Sequence, residues 1–328
     1  MKVVNEQIFK YIEKNFPDLG KISTISQISH NNKNSRNFKI NSDNGKFVLR
    51  YFQDDSNPKR IEEICKLLDN CNKQGLKVIK PIKNKNKKFV DAKNNLFLTM
   101  YYNGTFFQNT SKQIIELGKH IALLHKQLKN KKILENKSRK KKYQVLTEKD
   151  IEKILALIEK KQKIDKFDTK IIRDIKKIRN AIIINKLFDN KRQKIKTKKQ
   201  LIHHDLHPKN IIFNKNKIET ILDFNSLRYG QKYEDLSFAG YRFVMSKTSD
   251  VDEIKKNFGL FYKSYKKYNY VNIDLEFLLQ SFIHETFRRI SYIVKDNYFY
   301  NSNKWIFDYS KQIRFLTLAL KMVKENKS

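Results

Sequence analysis

Residues 201–225 constrain the fold of this chain more than any other segment, because they combine strand-forming apolar stretches with a few polar side chains at fixed spacing. Asp205 and Asn210 lie five residues apart in a predicted loop, and Asp223 follows thirteen residues later at the end of a predicted strand. These three side chains can converge on one divalent cation and one hydroxyl. Phosphoryl transfer requires that combination, namely a base that orients the attacking oxygen and oxygen ligands that hold Mg²⁺ on nucleotide phosphates.

The order and type of these residues resemble a known family. His-x-Asp-x-x-x-x-Asn at 203–210, followed by Ile-Leu-Asp-Phe at 221–224, resembles the catalytic and metal-binding loops of protein kinases. The variant His-x-Asp-Leu-His-Pro-x-Asn is similar to the aminoglycoside phosphotransferase and choline kinase-like family. The resemblance implies that Asp205 is the catalytic base, that Asn210 and Asp223 bind Mg²⁺, and that His203 supports the loop. It also implies ATP as co-substrate.

The N-terminal part of the chain contains further elements that resemble this family. Ser35 stands in a Ser-x-Asn turn similar to the phosphate-side turn of the family, although a plain turn residue is an equal alternative. Arg50 occupies the strand position whose basic residue pairs with nucleotide phosphates, where many relatives have lysine. A helix glutamate is expected to pair with Arg50. Glu62 and Glu63 both qualify by position, and we prefer Glu63.

Two more segments match the family pattern. Residues 96–102 resemble the hinge strand, in which the backbones of Met100 and Tyr102 would meet the adenine ring; a strand that serves only the core is the alternative. Asp235, in the stretch 233–237, matches the aspartate that anchors the following helix. We therefore assign Asp235, like His203, to structural support of the site.

The predicted elements change character along the chain. After an N-terminal helix, strand-like stretches occur at 22–28, 37–41 and 46–52, with turn residues at 42–45. A helix with apolar residues at helical spacing begins at Pro58 and closes at Gly75, and two more strands follow around 78–82 and 96–102. Beyond residue 104 the pattern is mainly helical.

The resemblance and this order together predict an α+β, bilobal, protein-kinase-like fold. We expect residues 1–103 to form a nucleotide-binding N-lobe of a small β-sheet with one main helix. Residues 104–328 are expected to form a larger, mainly helical C-lobe that carries the catalytic and metal-binding loops and the acceptor pocket. A lysine-rich helical insertion is expected at about 129–199.

The identity of the acceptor is the part of the function that the sequence indicates least. His284, Glu285 and Arg288 have adjacent and one-turn spacing on a predicted helix and could bind the acceptor, whereas a solvated or core patch is the alternative. We expect a hydroxyl of a sugar or amino sugar, an amino alcohol or an amino acid. A cationic acceptor would need several acids within 241–328 to converge.

Composition excludes several other classes of protein. The 70 basic and 34 acidic residues give a net charge of +36, but the lysines run along the whole chain, which does not favour nucleic acid as the main partner. No stretch reaches the roughly 18–20 apolar residues of a membrane span. The spacing of Cys65 and Cys71 suits neither a disulfide framework nor a zinc site. We therefore expect a cytoplasmic protein, and the oligomeric state is left open.

Three alternatives stay open from the sequence. The chain could be an aminoglycoside-modifying phosphotransferase, a catalytically inactive nucleotide-binding module, or a basic polyanion-binding protein. A protein kinase is disfavoured because the chain has no Gly-rich loop, no Asp-Phe-Gly and no Ala-Pro-Glu segment.

Overall fold

The computed structural model describes residues 2–28, 37–52, 57–135, 144–194, 198–245, 248–271 and 273–325. Two regions follow each other along the chain, a sheet with two helices up to residue 100 and a mainly helical region after it. The predicted α+β fold class is confirmed. The division of the chain into lobes at residue 103 stays a prediction.

A six-stranded antiparallel sheet forms the N-terminal region. Its strands are β1 (Ile22–Ile28), β2 (Asn37–Ser42), β3 (Gly45–Tyr51), β4 (Pro81–Ile82), β5 (Val90–Asp91) and β6 (Leu96–Met100). They run in the order β1-β2-β3-β6-β4, and β5 also pairs with β6. Gly45, with a φ of 132°, makes the tight turn between β2 and β3. The apolar face of this sheet is covered by helix α1 (Lys2–Asn15), which buries Ile8 and Ile12.

Helix α2 (Pro58–Lys73) lies against the same region. Its start is well defined, because the side chain of Asn57 accepts the Lys59 amide at 3.0 Å and proline occupies the first turn. Ile61 and Cys65 of α2 are buried together with Phe89 and Val90. This packing fixes the rotation of α2 about its own axis.

Seven helices build most of the second region. They are α3 (Ser111–Leu128), α4 (Glu148–Glu159), α5 (Lys166–Lys194), α6 (Lys232–Val244), α7 (Val251–Tyr268), α8 (Leu275–Tyr300) and α9 (Tyr309–Glu325). Helices α3 and α7 approach closely at Gly118, where a Cβ atom would lie less than 3.0 Å from the Phe261 carbonyl. The lysine-rich part of the chain also contributes to the core, because Ile151 and Ile154 of α4 and Ile178 of α5 are buried.

Two small antiparallel sheets hold the segment that contains Asp205, Asn210 and Asp223. β7 (Gln200–Ile202) pairs with β10 (Arg228–Gly230), and β8 (Ile211–Asn214) pairs with β9 (Lys217–Ile221). The loop from 203 to 210 therefore connects one sheet to the other, and residues 222–227 return from the second sheet to the first.

Backbone hydrogen bonds connect these small sheets to the N-terminal region. The Ile79 amide donates to the Ile221 carbonyl at 2.9 Å, and the Ile221 amide donates to the Lys77 carbonyl at 3.1 Å. The strand predicted at 78–82 is consequently shortened to Pro81–Ile82, because Val78 pairs with Ile221 instead of extending the large sheet. None of the helices described is both long and apolar enough to cross a membrane.

Candidate active site

The ring of His203 holds the loop that begins the site. His203 is fully buried, its Nε2 donates to the Leu222 carbonyl at 2.9 Å, and its Nδ1 accepts the Asp205 amide at 3.2 Å. These two bonds assign the proton to Nε2, since Nδ1 serves as an acceptor. His203 therefore ties the backbone of Asp205 to the end of β9.

Asp235 supports the same loop through hydrogen bonds to its backbone. Its buried carboxylate accepts the amides of His203 at 2.8 Å and His204 at 2.6 Å, and Nε2 of His125 lies 3.0 Å away. His204 itself has a left-handed backbone, with a φ of 63°. Burial alone would raise the pKa of Asp235, but the hydrogen bond from His125 and the loop amides hold this pKa below its ordinary value.

The three residues that the sequence predicted to converge lie together. The side-chain amide of Asn210 donates to the Asp205 carbonyl at 2.9 Å and to its carboxylate at 3.3 Å. Asp223 comes two residues after β9, and the adjacent Leu222 amide donates to the Asn210 carbonyl at 2.8 Å. Burial and the nearby charge of Asp223 raise the pKa of Asp205 to about 6. A carboxyl whose ionisation is opposed by a second nearby carboxylate belongs to a site that favours a cation.

The donor set fits a hard divalent cation. Asp205, Asn210 and Asp223 offer only oxygen ligands, as Mg²⁺ prefers. In the part of the chain that the structure describes, no group of three or more His, Cys, Asp or Glu side chains is arranged to hold a metal. A cation held by Asn210 and Asp223 would thus depend on oxygen atoms from a bound ligand or from water for the rest of its shell.

Arg50 faces this site from strand β3. Its Nε lies 3.3 Å from Thr99 Oγ1 on β6. Burial lowers the pKa of Arg50, while the negative charge of Asp223 and the proximity of Cys65 oppose that shift. The residue of α2 that approaches Arg50 is therefore a cysteine, and Asp223 provides the carboxylate.

The structure does not bring Glu63 to Arg50. The Glu63 carboxylate accepts the Leu134 amide at 2.7 Å, and Glu62 accepts the Val90 amide at 2.9 Å. Among residues with described side chains, neither glutamate forms an ion pair with Arg50. The rotation of α2 explains this arrangement, because neighbouring helix residues point about 100° apart and the buried face is taken by Ile61 and Cys65.

A buried arginine that our sequence analysis missed connects α2 to the residues that follow Asp223. Arg60 is 5% exposed, and its guanidinium donates to the Leu227 carbonyl at 2.6 Å and to the Asn225 carbonyl at 3.5 Å. These carbonyls belong to residues two and four positions after Asp223. The available signal was a charged residue within the apolar positions at the start of α2.

The predicted hinge leaves one backbone donor without an acceptor. The Met100 amide donates to the Lys80 carbonyl and the Tyr101 amide to the Lys46 carbonyl, both at 2.9 Å. The Tyr102 hydroxyl accepts the Lys80 amide at 3.1 Å, whereas the Tyr102 amide has no acceptor among the described residues. Ser35, predicted to contact a phosphate, lies outside the described residues.

The three predicted acceptor residues separate into two groups. Arg288 donates to the buried Glu285 carboxylate through Nε at 3.0 Å and Nη2 at 2.8 Å. Burial opposes the ionisation of Glu285, but the charge of Arg288 holds the pKa of Glu285 at about 2. The charges of Glu285 and Arg288 also act on the ring of His204, which is next to Asp205. His284 instead places Nδ1 2.6 Å from Asn185 Oδ1, towards α5.

His207 belongs to the 203–210 loop and is neutral. Its Nε2 is 3.8 Å from an Asp205 oxygen, a distance at which a charged ring would form an ion pair. Burial and the nearby Arg242 lower the pKa of His207 to about 4. The ring is therefore uncharged at neutral pH, and this contact is not an ion pair.

Comparisons with known proteins agree with the geometry. The model of the phosphotransferase enzyme family matches residues 24–264. A spectinomycin phosphotransferase solved with ADP and spectinomycin is 19% identical, covers 97% of this chain and 98% of its own, and superposes with a TM-score of 0.67. An amicoumacin kinase solved with AMP-PNP and Ca²⁺ is 14% identical, with coverages of 96% and 93% and a TM-score of 0.64.

A choline kinase from Streptococcus pneumoniae is also similar, at 14% identity, coverages of 96% and 99%, and a TM-score of 0.56. At these identities the solved structures establish a shared fold. No curated protein matches the chain. The resemblance on which the sequence analysis relied is confirmed by the family match.

Proposed function

Because the chain belongs to the phosphotransferase enzyme family, we propose that it transfers the γ-phosphoryl group of ATP, with Mg²⁺, to a hydroxyl of a small metabolite. The observation that supports this most is the convergence of Asp205, Asn210 and Asp223 opposite Arg50. In this proposal residues 1–103 bind the nucleotide, and residues 104–328 supply the catalytic loop and the acceptor pocket.

Asp205 is proposed to orient the acceptor hydroxyl and to take its proton. A carboxyl with a pKa of about 6 is mostly ionised at neutral pH, yet is a stronger base than an ordinary aspartate. Asn210 donates to an Asp205 oxygen at 3.3 Å and so fixes the direction of the carboxylate. Catalysis would then come from position and charge, since phosphoryl transfer needs no covalent contribution from the protein.

Nucleotide binding is assigned to both sides of the cleft. Asn210 and Asp223 would hold Mg²⁺, which when bound would neutralise charge on the phosphates. Arg50 would bind a phosphate oxygen, and its approach to Asp223 supports this role. The Tyr102 amide is a donor available to an adenine nitrogen, whereas the Met100 amide is already bonded to Lys80, so Met100 would contribute through other groups. Ser35 stays a predicted nucleotide-side residue, whereas Glu63, whose carboxylate accepts the Leu134 amide, does not pair with Arg50.

The acceptor is proposed to be a sugar or amino sugar, an amino alcohol or an amino acid. The similar structures include enzymes named for spectinomycin, amicoumacin and choline, so an aminoglycoside remains the alternative substrate. Glu285 and Arg288 act electrostatically on His204 and are the predicted acceptor residues closest to the catalytic loop. Cys65 and Cys71 are free and buried, which is compatible with the cytoplasm, where we place the protein.

The test is ADP release by the purified protein with MgATP against hexosamines, homoserine, choline, methylthioribose and aminoglycosides. We expect ADP release that depends on the acceptor and that is lost in Asp205→Asn. Chelation of the metal should abolish this release, and added Mg²⁺ should restore it. If MgATP raises the melting temperature but no acceptor is phosphorylated, the chain is an inactive nucleotide-binding module. If MgATP does not bind, the kinase proposal is wrong.

A further inference from the structure

We propose that the acceptor carries an anionic group, a carboxylate or a phosphate, and that Arg242 binds this group with help from Lys209 and Lys311. This inference rests on the proposed phosphotransfer function and specifies its substrate class. Choline and aminoglycosides carry the opposite charge, so the proposal separates this chain from kinases that act on such cations.

A row of aromatic rings leads from the catalytic loop to Arg242. The ring of His204, next to Asp205, stacks on Phe238 with centroids 6.3 Å apart and an interplanar angle of 26°. Phe238 contacts Tyr241 at 5.4 Å, and the Arg242 guanidinium lies 5.9 Å from both ring centroids. Arg242 is thus held on α6 beside the loop that carries the proposed base.

The row continues to α9, where more positive charge is located. Tyr241 contacts Phe315 at 6.2 Å. Lys311 Nζ lies 5.7 Å and the Arg314 guanidinium 5.1 Å from the centroid of the Phe315 ring. The pKa of Lys311 is lowered, mainly by burial and in addition by the positive charges of Arg242, Arg314 and Lys209. These cations therefore lie close enough to repel Lys311.

The acidic residues around this cluster already have partners. Asp308, which attracts Lys311, accepts Arg289 Nε at 3.2 Å and Gln312 Nε2 at 3.0 Å. Glu285 is bonded to Arg288, and Glu234 pairs with Arg228. Within the described part of the chain, Lys209, Arg242, Lys311 and Arg314 form no ion pair. The charge of Arg242 also acts on the Asp205 carboxylate, which forms no ion pair with it. These four cations therefore have no ion-pair partner beside the active site, and an anionic ligand group would supply one.

The choice of arginine at this position adds to the argument. Only 12 of the 70 basic residues in the chain are arginines, so lysine is the ordinary basic residue here. Arg242 is half-buried against aromatic rings, in contrast to the exposed Lys209. A planar guanidinium binds a carboxylate or a phosphate through two parallel hydrogen bonds, which an ammonium cannot do. The half-exposed face of Phe238 would contact the carbon skeleton of the same ligand.

The experiment compares matched hydroxyl compounds of different charge. Glycerol, glycerate and glycerol 3-phosphate form one set, glucose, gluconate and glucose 6-phosphate form a second, and choline is the cationic probe. Binding is measured by calorimetry on protein saturated with MgADP in about 150 mM salt, which screens nonspecific attraction, and ADP release with MgATP is measured in parallel. We expect at least one anionic probe to bind about tenfold or more tightly than its neutral counterpart.

Variants then assign that preference to Arg242. Arg242→Gln should weaken binding of the anionic probe by about 10- to 100-fold and leave the neutral probe unchanged, whereas Arg242→Lys should recover part of the loss. Lys263→Gln, which removes an exposed charge from α7, is the matched control and should have no effect. If Arg242→Gln does not fold, the double variant Lys209→Gln with Lys311→Gln should still weaken the anionic probe by about threefold or more.

Three results would overturn the inference: no anionic probe binds, the neutral or cationic probe binds as tightly as the anionic one, or the preference survives in Arg242→Gln. These results differ from a failure of the proposed function. In that case MgADP would not stabilise the protein, or a bound probe would release no ADP from MgATP. Phosphorylation of a neutral or cationic acceptor would refute the anionic substrate and leave the kinase proposal intact.

Discussion

Replacing Asp205 by asparagine should stabilise the fold while abolishing activity. The raised pKa of Asp205 means that the folded protein disfavours the ionised carboxylate, which is partly buried and faces the charge of Asp223. Asparagine carries no charge and has nearly the same shape. Its side-chain oxygen can still accept the hydrogen bond from Asn210 that Asp205 accepts at 3.3 Å. The substitution therefore removes an unfavourable interaction from the folded state.

The expected magnitude follows from the shift. A pKa of about 6 instead of 3.8 corresponds to about 3 kcal/mol at neutral pH. The Asp205 side chain is 32% exposed, so solvent screening reduces this value, and we expect Asp205→Asn to gain about 1–2 kcal/mol in the free energy of unfolding. Because the pKa is raised in the folded state, the favourable contribution of the protonated carboxyl is complete below pH 3.8 and is lost as the pH rises through about 6. The advantage of Asp205→Asn should accordingly be largest above pH 6 and should disappear near pH 4.

The assay is urea unfolding of both proteins at pH 7.5, 6 and 4, without nucleotide or metal. Asp91→Asn is a control of opposite sign. Burial raises the pKa of Asp91, but hydrogen bonds from Tyr11 and Asn94 hold this pKa below its ordinary value. Ionised Asp91 therefore stabilises the fold at neutral pH, and this contribution is lost in acid. An Asp205→Asn protein that is no more stable than the wild type at pH 7.5, or whose advantage persists at pH 4, would refute the electrostatic reasoning.

Three further substitutions, one of them with a matched control, test contacts that support the site or the fold. Arg60→Met should cost about 2–3 kcal/mol in urea unfolding, because it leaves the buried Leu227 carbonyl without the donor now at 2.6 Å; an unchanged midpoint would contradict that role. Gly118→Ala should cost about 1–3 kcal/mol in the free energy of unfolding, because the new Cβ would clash with α7. The matched Gly259→Ala places its Cβ where nothing lies within 4 Å and should stabilise the fold by about 0.5–1 kcal/mol. Equal effects of the two substitutions would show that α3 and α7 do not approach closely at Gly118. Asp235→Asn should cost about 3 kcal/mol at pH 7.5 and less in acid, because the pKa of Asp235 is lowered and its stabilising charge is lost as the pH falls through that value; a cost that is independent of pH would contradict the ionic role.

Much of the candidate active site could be predicted from the sequence because its residues are close neighbours in the chain. Asp205 and Asn210 belong to one loop, and the strands that flank them need only local pairing to present both side chains on the same side. The fold class was also predictable, since the change from alternating to helical periodicity near residue 104 survives in the structure. Local hydrogen bonds and apolar periodicity depend on a few adjacent residues, and both can be read directly from a sequence.

The contacts that the sequence did not reveal join distant parts of the chain. The amide donor of the Glu63 carboxylate is 71 residues away, and the carbonyl acceptor of Arg60 is 167 residues away. The packing of Ile61 and Cys65 decides which face of α2 is buried. If α2 were rotated about its axis by one residue position, Glu63 would take the place of Glu62.

The sequence by itself therefore identified the residues that we propose carry the chemistry, whereas the tertiary structure decided which charges surround them. The spacing of Asp205, Asn210 and Asp223 is a property of one short segment. The placement of Arg242 beside Asp205 depends on the packing of α6 against the catalytic loop and α9. Electrostatic interactions act through space and depend on burial, so the net charge of +36 could not show where positive charge lacks a partner.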